Sequence, residues 1–313
     1  MPVNPSELKF FDYLAEESAK NPLKPFDERT IEEFREAGDL FNQFTGPYAD
    51  VDYEDITIRA RDGYAIPVRI FNSELTQISP ILVMYPGCGY VGNLYKANAV
   101  ACSRIAKYAG IKVALVYYRL TPEYPLPTPI YDGFDATKYL SINAERLSIN
   151  PEKIIIGGLS SGAHCAAVIS SLARNDQQLK ISQQILINGV YDLAKTHSDY
   201  AEYEKYDQLM ARAGLDYVVN NYWGINKQFK NPLFSPYHED NLSQIPQTTI
   251  IVGEYDGLRS DSEAYYVQLK NAGVTVNKIV LTGQTHCPLI MREVMTDGDD
   301  PAQVIADVIN QSL

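Results

Sequence analysis

Cysteine, tryptophan, histidine and methionine are all scarce in this chain of 313 residues, and most of these scarcities remove a class of explanation. The four cysteines, Cys88, Cys102, Cys165 and Cys287, lie far apart and form no Cys-x-x-Cys pair. A disulfide scaffold or a thiolate zinc site needs paired cysteines, so free thiols in a reducing compartment are expected. The four histidines are not at metal-ligand spacing from one another or from a cysteine, so neither a metal nor another cofactor is expected. Basic residues are also in deficit: 27 Lys and Arg stand against 39 Asp and Glu, a formal net charge of −12. Such a surface repels phosphate backbones and anionic headgroups, which argues against a nucleic-acid partner and against stable membrane association. No run of eighteen apolar residues occurs, and the first ten residues lack a basic segment followed by an apolar stretch. Neither a membrane span nor a secretory signal is expected, and the expected location is cytoplasmic.

What the chain does have is apolar material in two periods. Hydrophobic residues make up 45% and charged residues 21%, enough for a sizeable core. Residues 7–20 and 28–44 repeat with a helical period, the second with its cap expected in the 25–27 stretch. Residues 53–58 and 64–71 flank Asp62-Gly63, a tight-turn dipeptide, and read as a hairpin. Strand patterns at 80–85, 112–118, 153–156, 183–188, 248–252 and 278–281 then alternate with helical ones at 96–108, 130–147, 161–172, 261–272 and 302–310. This rhythm predicts an α/β chain with a mostly parallel central sheet flanked by helices. The interval between 188 and 248 is rich in tyrosine and long for a connection within a sheet, as functional lids are. Residues 1–46 are therefore assigned to the N-terminal part of a helical cap, 47–190 and 238–313 to the core, and 191–237 to an inserted cap segment.

The stretch around which the rest is organised is Lys153 to Ala167, a β-branched run, then Gly157-Gly158-Leu159-Ser160-Ser161-Gly162, then an Ala-rich helical pattern. A serine on a sharp turn between strand and helix needs small residues two positions either side, which Gly158 and Gly162 supply. The helix after it aims free amides and the positive end of its dipole at the point where an oxyanion forms. A serine hydroxyl also needs a base, and that base a carboxylate. His164 sits one helical turn beyond Ser160 on the same rigid element, while His197 and His238 fall in the inserted segment, where a surface role is expected. His286 follows the last strand in Gly-Gln-Thr-His-Cys-Pro, where a loop at the carboxyl edge of the sheet belongs. The orienting acid is expected after strand 248–252, with Asp256 preferred to Glu254 and Asp261. The resulting order Ser160, Asp256, His286 is that of α/β-hydrolases. Pro86-Gly87-Cys88-Gly89 follows strand 80–85 directly, and the amides of Cys88, Gly89 and Ser161 are the expected oxyanion donors.

With these pieces in place the chain resembles the hormone-sensitive-lipase-like esterases of the α/β-hydrolase superfamily, from about residue 50 onward. Tyr118-Arg119-Leu120-Thr121-Pro122-Glu123 is similar to the family's Tyr-Arg-Leu-Ala-Pro-Glu segment, Glu254 to Arg259 to its catalytic-acid segment, and Gly283 to His286 to its histidine loop. The N-terminal helices and the insert resemble its two-part cap. Three departures stand out: Pro86-Gly87-Cys88-Gly89 replaces His-Gly-Gly-Gly, Leu159-Ser160-Ser161 replaces Asp-Ser-Ala, and His164 stands where a small or amide residue is common. The resemblance implies hydrolysis of small, short-acyl esters through an acyl-enzyme, with a small-molecule ester as the only expected partner. Two further readings are an aryl-formamide or other amide hydrolase, and a receptor-like relative that binds without turnover. A homodimer is compatible with the sequence, which fixes no oligomeric state. Cys88 and Cys287, beside the expected site, suggest sensitivity to thiol reagents.

Overall fold

The structure, a computed structural model, describes residues 3–22, 24–25, 28–196, 200–210 and 212–313. Two helices come first, α1 (Pro5–Lys20) and α2 (Ile31–Phe41). The cap of α2 is Thr30, whose side chain accepts from the Glu33 amide while Glu33 reaches back to the Thr30 amide. This reciprocal pair, and not the 25–27 stretch, starts the helix, and it satisfies two amides that the first turn leaves open. Of the expected capping residues, 26 and 27 lie outside the described ones.

The chain then gives β1 (Tyr53–Arg59), β2 (Ala65–Phe71), β3 (Ser79–Tyr85), α3 (Tyr95–Ala109), β4 (Lys112–Val116), α4 (Thr128–Ile142), β5 (Ile149–Leu159), α5 (Ser161–Ala173) and β6 (Gln183–Ile187). The insert carries α6 (Ala201–Glu204) and α7 (Arg212–Asn221), after which come β7 (Gln247–Gly253), α8 (Arg259–Asn271), β8 (Val276–Leu281) and α9 (Pro301–Ser312). All eight strands form one sheet in the order β1-β2-β4-β3-β5-β6-β7-β8. Strands β4, β3, β5, β6, β7 and β8 pair in parallel, and β2 runs antiparallel to both β1 and β4.

Successive residues of β3 separate into two cores, Ile81, Val83 and Tyr85 on one face, Leu82 and Met84 on the other. Helices α4, α5 and α8 cover the first face, and α1, α3 and α9 the second. Burying both faces of a strand explains why β3 reads as an unbroken apolar run from Pro80 to Tyr85. Each large apolar side chain so buried contributes about 1.5–3 kcal/mol.

Two boundaries differ from expectation. Strand β5 begins at Ile149 and not near 153, because Ile149 pairs with Ser79 before a register shift leads to Ile81 opposite Ile154. Helix α4 stops at Ile142, and residues 143–148 turn back into β5. In the insert, helix covers 201–204 and 212–221, and between them Asp207 turns the chain by accepting the amides of Leu209 and Met210.

Candidate active site

Ser160 stands between β5 and α5 at φ 55° and ψ −119°, a conformation that side chains rarely adopt. The turn is packed without slack. A Cβ on Gly158 would sit 2.3 Å from the backbone carbon of Gly162, and one on Gly162 would sit 2.0 Å from the Tyr85 carbonyl oxygen. Only glycine fits both positions, so the spacing seen in the sequence is a steric requirement of the turn. The Ser160 amide donates to the Ile187 carbonyl at 2.8 Å, which fixes the turn to the end of β6.

His286 and Asp256 meet at the same carboxyl edge. His286 Nδ1 and Asp256 Oδ1 are 2.8 Å apart, and both side chains are buried. A carboxylate only accepts here, so Nδ1 carries the proton and Nε2 is left as the basic nitrogen. Burial acts to lower the His286 pKa, but the charges of Asp256 and Asp207 outweigh it and hold the ring above its ordinary 6.5. Asn188, one residue past β6, binds the elements together: its Nδ2 donates to the His286 carbonyl at 2.8 Å and its Oδ1 accepts the Gly253 amide at 2.9 Å.

The other acids serve elsewhere. Glu254 Oε2 accepts the Gly283 amide at 2.8 Å, and Asp261 accepts from the amides of Tyr191 and Asp192, from Tyr200 and from Arg212. Asp256 is therefore the one of the three expected acids that touches the His286 ring. Of the remaining histidines, His164 is buried against Tyr90 and Trp223, and His238 pairs with Asp192 at 2.8 Å. His197 lies outside the described residues.

The expected oxyanion amides differ in state. Those of Gly89 and Ser161 take no partner among the described residues, whereas the Cys88 amide, expected to be free, donates to Ser161 Oγ at 3.1 Å. Replacing the family's alanine with Ser161 thus places a competing acceptor on one donor. Ser161→Ala is expected to release that amide and raise kcat by up to roughly a hundred-fold, since a lost donor costs about 3 kcal/mol. A fall in kcat in that variant would mean that the hydroxyl holds the loop instead.

By the resemblance, the histidine that opens His-Gly-Gly-Gly braces this loop; here it is Pro86, and the loop is held from four other places. Asn98 clamps Gly87, accepting its amide at 2.9 Å and donating to its carbonyl at 3.2 Å. The Tyr118 hydroxyl donates to the Pro86 carbonyl at 2.6 Å, and Trp223 Nε1 donates to the Gly89 carbonyl at 2.8 Å. Fourth, His164 Nε2 donates to the Phe234 carbonyl, leaving Nδ1 to accept the Tyr90 hydroxyl, each at 2.8 Å. Burial pushes His164 down to about 4, so it stays neutral and keeps this tautomer.

The cysteines near the site have no thiolate character. Burial pushes Cys88 up to about 11 and Cys287 well above its ordinary value, which speaks against the expected sensitivity to thiol reagents.

Two residues came to the site without a sequence signal. Asp207, from the insert, accepts the backbone amides of His286 at 3.0 Å and Gly257 at 3.3 Å, and Glu7, from α1, accepts the Thr285 amide at 2.9 Å. Each carries its carboxylate from outside the sheet to one of two adjacent amides of the histidine loop. One donor atom each from Asp207, Asp256 and His286 fall within 4.8 Å of one another, a spacing that could also hold a metal. Their hydrogen bonds already commit the His286 Nδ1 and both Asp207 oxygens.

Comparison with known proteins bears on the whole arrangement. The arylesterase of Saccharolobus solfataricus is 33% identical over 234 residues, which is 74% of this chain and 75% of that protein. The ethyl acetate hydrolase of Pseudomonas putida is 26% identical over 83% of this chain and 82% of its own length. In structure, a hyperthermophilic esterase from the archaeon Pyrobaculum calidifontis superposes with a TM-score of 0.87 at 27% identity, covering 99% of each chain. The family described as alpha/beta hydrolase fold matches residues 82–290, from β3 to beyond His286, and this chain belongs to it.

Proposed function

We propose that the protein is a serine carboxylic-ester hydrolase for small, short-acyl esters. The observation that carries the reading is the 2.8 Å Asp256–His286 pair at the sheet edge that also holds the strained Ser160. Relatives named arylesterase and ethyl acetate hydrolase support the reaction class.

In this reading Ser160 Oγ attacks the ester carbonyl as His286 Nε2 takes its proton, and the tetrahedral oxyanion lies against the amides of Gly89 and Ser161, while the Cys88 amide stays on Ser161 Oγ. The imidazolium then protonates the leaving alcohol. Water repeats the sequence on the acyl-enzyme, and Asp256 holds the ring in register throughout. The N-terminal helices and residues 191–237 serve as the cap that closes over the acyl group. Among the described residues no helix is long and apolar enough to cross a membrane. The four unpaired cysteines fit a reducing compartment, and on that ground we assign the protein to the cytoplasm.

Because His286 must be neutral to accept a proton, and its pKa is held above 6.5, kcat/KM is expected to rise with pH through a value above 6.5. Hydrolysis of p-nitrophenyl acetate and octanoate, followed across pH, tests the reading. Turnover favouring acetate supports it. Turnover of aryl formamides with none of either ester transfers the machinery to amides, and no turnover in folded protein returns the receptor-like reading.

A further inference from the structure

Asp207 lies in the connection between β6 and β7, 79 residues before His286, yet it is only 1% exposed and sits within the histidine–acid pair. All four of its hydrogen bonds come from backbone amides. Oδ2 takes those of His286 at 3.0 Å and Gly257 at 3.3 Å, and Oδ1 those of Leu209 at 3.0 Å and Met210 at 3.1 Å. The two residues held by Oδ2 are the histidine itself and the neighbour of Asp256. A separate observation shows that the insert is pressed onto the acid loop here: a Cβ on Gly257 would lie 2.1 Å from the Met210 carbonyl oxygen. No cation is hydrogen-bonded to Asp207 among the described residues. Its carboxylate and that of Asp256 share one positive partner, the His286 ring, within the 4.8 Å spacing of the three.

We propose that Asp207 is a second orienting carboxylate for His286: it fixes the histidine and acid loops through their amides and adds its charge to that of Asp256 in stabilising the imidazolium. The inference rests on the Ser160, Asp256, His286 reading above. Asp207 touches no substrate in this scheme and acts through His286, which makes it a positioning residue.

Charge explains why a second acid helps. An imidazolium forming in a buried site gains from every fixed negative charge within about 4–6 Å. The groups facing His286 are Asp256 from the loop after β7, Asp207 from the insert, and Cys287 beside it, with Glu7 of α1 on the next amide. Arg292 acts on Glu7. Burial, and then the charge of Asp256, push Asp207 itself up to about 6, while the His286 charge opposes that rise. The imidazolium in turn favours the ionised form of Asp207, so the two charges support each other. Asp207 sits in the insert, so proper seating of the cap also completes the electrostatics of the triad.

The test compares wild type with Asp207→Asn in the full chain, using p-nitrophenyl acetate, with fluorophosphonate labelling of Ser160 as a check on the site. For the variant, kcat is expected to fall about 10-fold or more with KM changed little, and the acid limb of kcat/KM to move down by about one pH unit. The ring titration of His286, followed by NMR and assigned against His286→Gln, should move down with it. A purely structural role for Asp207 would lower rate or melting temperature and leave both pH readings where they are in wild type. That result overturns the inference. Should Asp207→Asn not fold, Asp256→Asn, which leaves Asp207 in place, should retain about 10-fold more turnover than His286→Gln; equal rates also overturn it. If wild type itself fails to label at Ser160, the triad reading falls first, which separates the two failures.

Discussion

Ser160→Ala is expected to lower kcat on p-nitrophenyl acetate by roughly a million-fold and to abolish fluorophosphonate labelling, with the fold intact. The size of the loss follows from what is removed. Without the hydroxyl no acyl-enzyme forms, and the oxyanion amides and His286 have no covalent intermediate to stabilise. The fold stays because Ser160 makes its structural bonds through its backbone, the amide to Ile187 and the carbonyl to the His164 amide at 3.1 Å, and alanine keeps both. The same residue also stores strain. A side chain held at φ 55° costs about 1–3 kcal/mol, which alanine retains and glycine releases. Ser160→Gly should therefore be as inactive as Ser160→Ala and melt at a higher temperature. Equal melting temperatures would show that the turn carries no such strain, and turnover in either variant within about a thousand-fold of wild type would remove Ser160 from the mechanism.

Asp256→Asn is expected to lower kcat/KM by about a thousand- to ten-thousand-fold. Asp256 Oδ1 accepts from His286 Nδ1 at 2.8 Å and from the Leu258 amide at 2.9 Å, so the acid is itself anchored before it orients the ring. An amide at this position can turn its NH2 toward Nδ1, which then accepts, and the proton moves to Nε2, the nitrogen needed as base. Loss of the charge also lets burial pull the His286 pKa down, so the acid limb of kcat/KM shifts to lower pH as the rate falls. A fall of less than about tenfold would mean that the His286 tautomer is set by something other than Asp256.

The parts of this site that could be read from the sequence are those whose signals are short. Ser160 is marked by two glycines four residues apart, because the turn packs backbone on backbone. Asp256 and His286 each lie a few residues beyond a parallel strand, and parallel strands end at one edge by construction. The start of β5 is masked in the sequence by Pro151 and Glu152, and its pairing of Ile149 with Ser79 depends on a neighbour seventy positions away. Asp207 and Glu7 could not be read at all, since their contacts to the histidine loop span 79 and 278 residues. Nor was the engaged Cys88 amide legible, for it depends on a side-chain hydroxyl across the turn. What holds the loop in place of a residue at Pro86 was equally hidden, as Asn98, Tyr118, Trp223 and His164 reach it from four separate parts of the chain.

Trp223 is the chain's single tryptophan, it is fully buried, and its indole nitrogen rests on the carbonyl of Gly89. Light absorbed selectively by tryptophan therefore reports from one spot, the join between the inserted segment and the loop of Cys88 and Gly89, where the proposed oxyanion would lie. The protein carries its own optical gauge of that loop: a change in emission when Ser160 is acylated can be followed in real time without any attached dye.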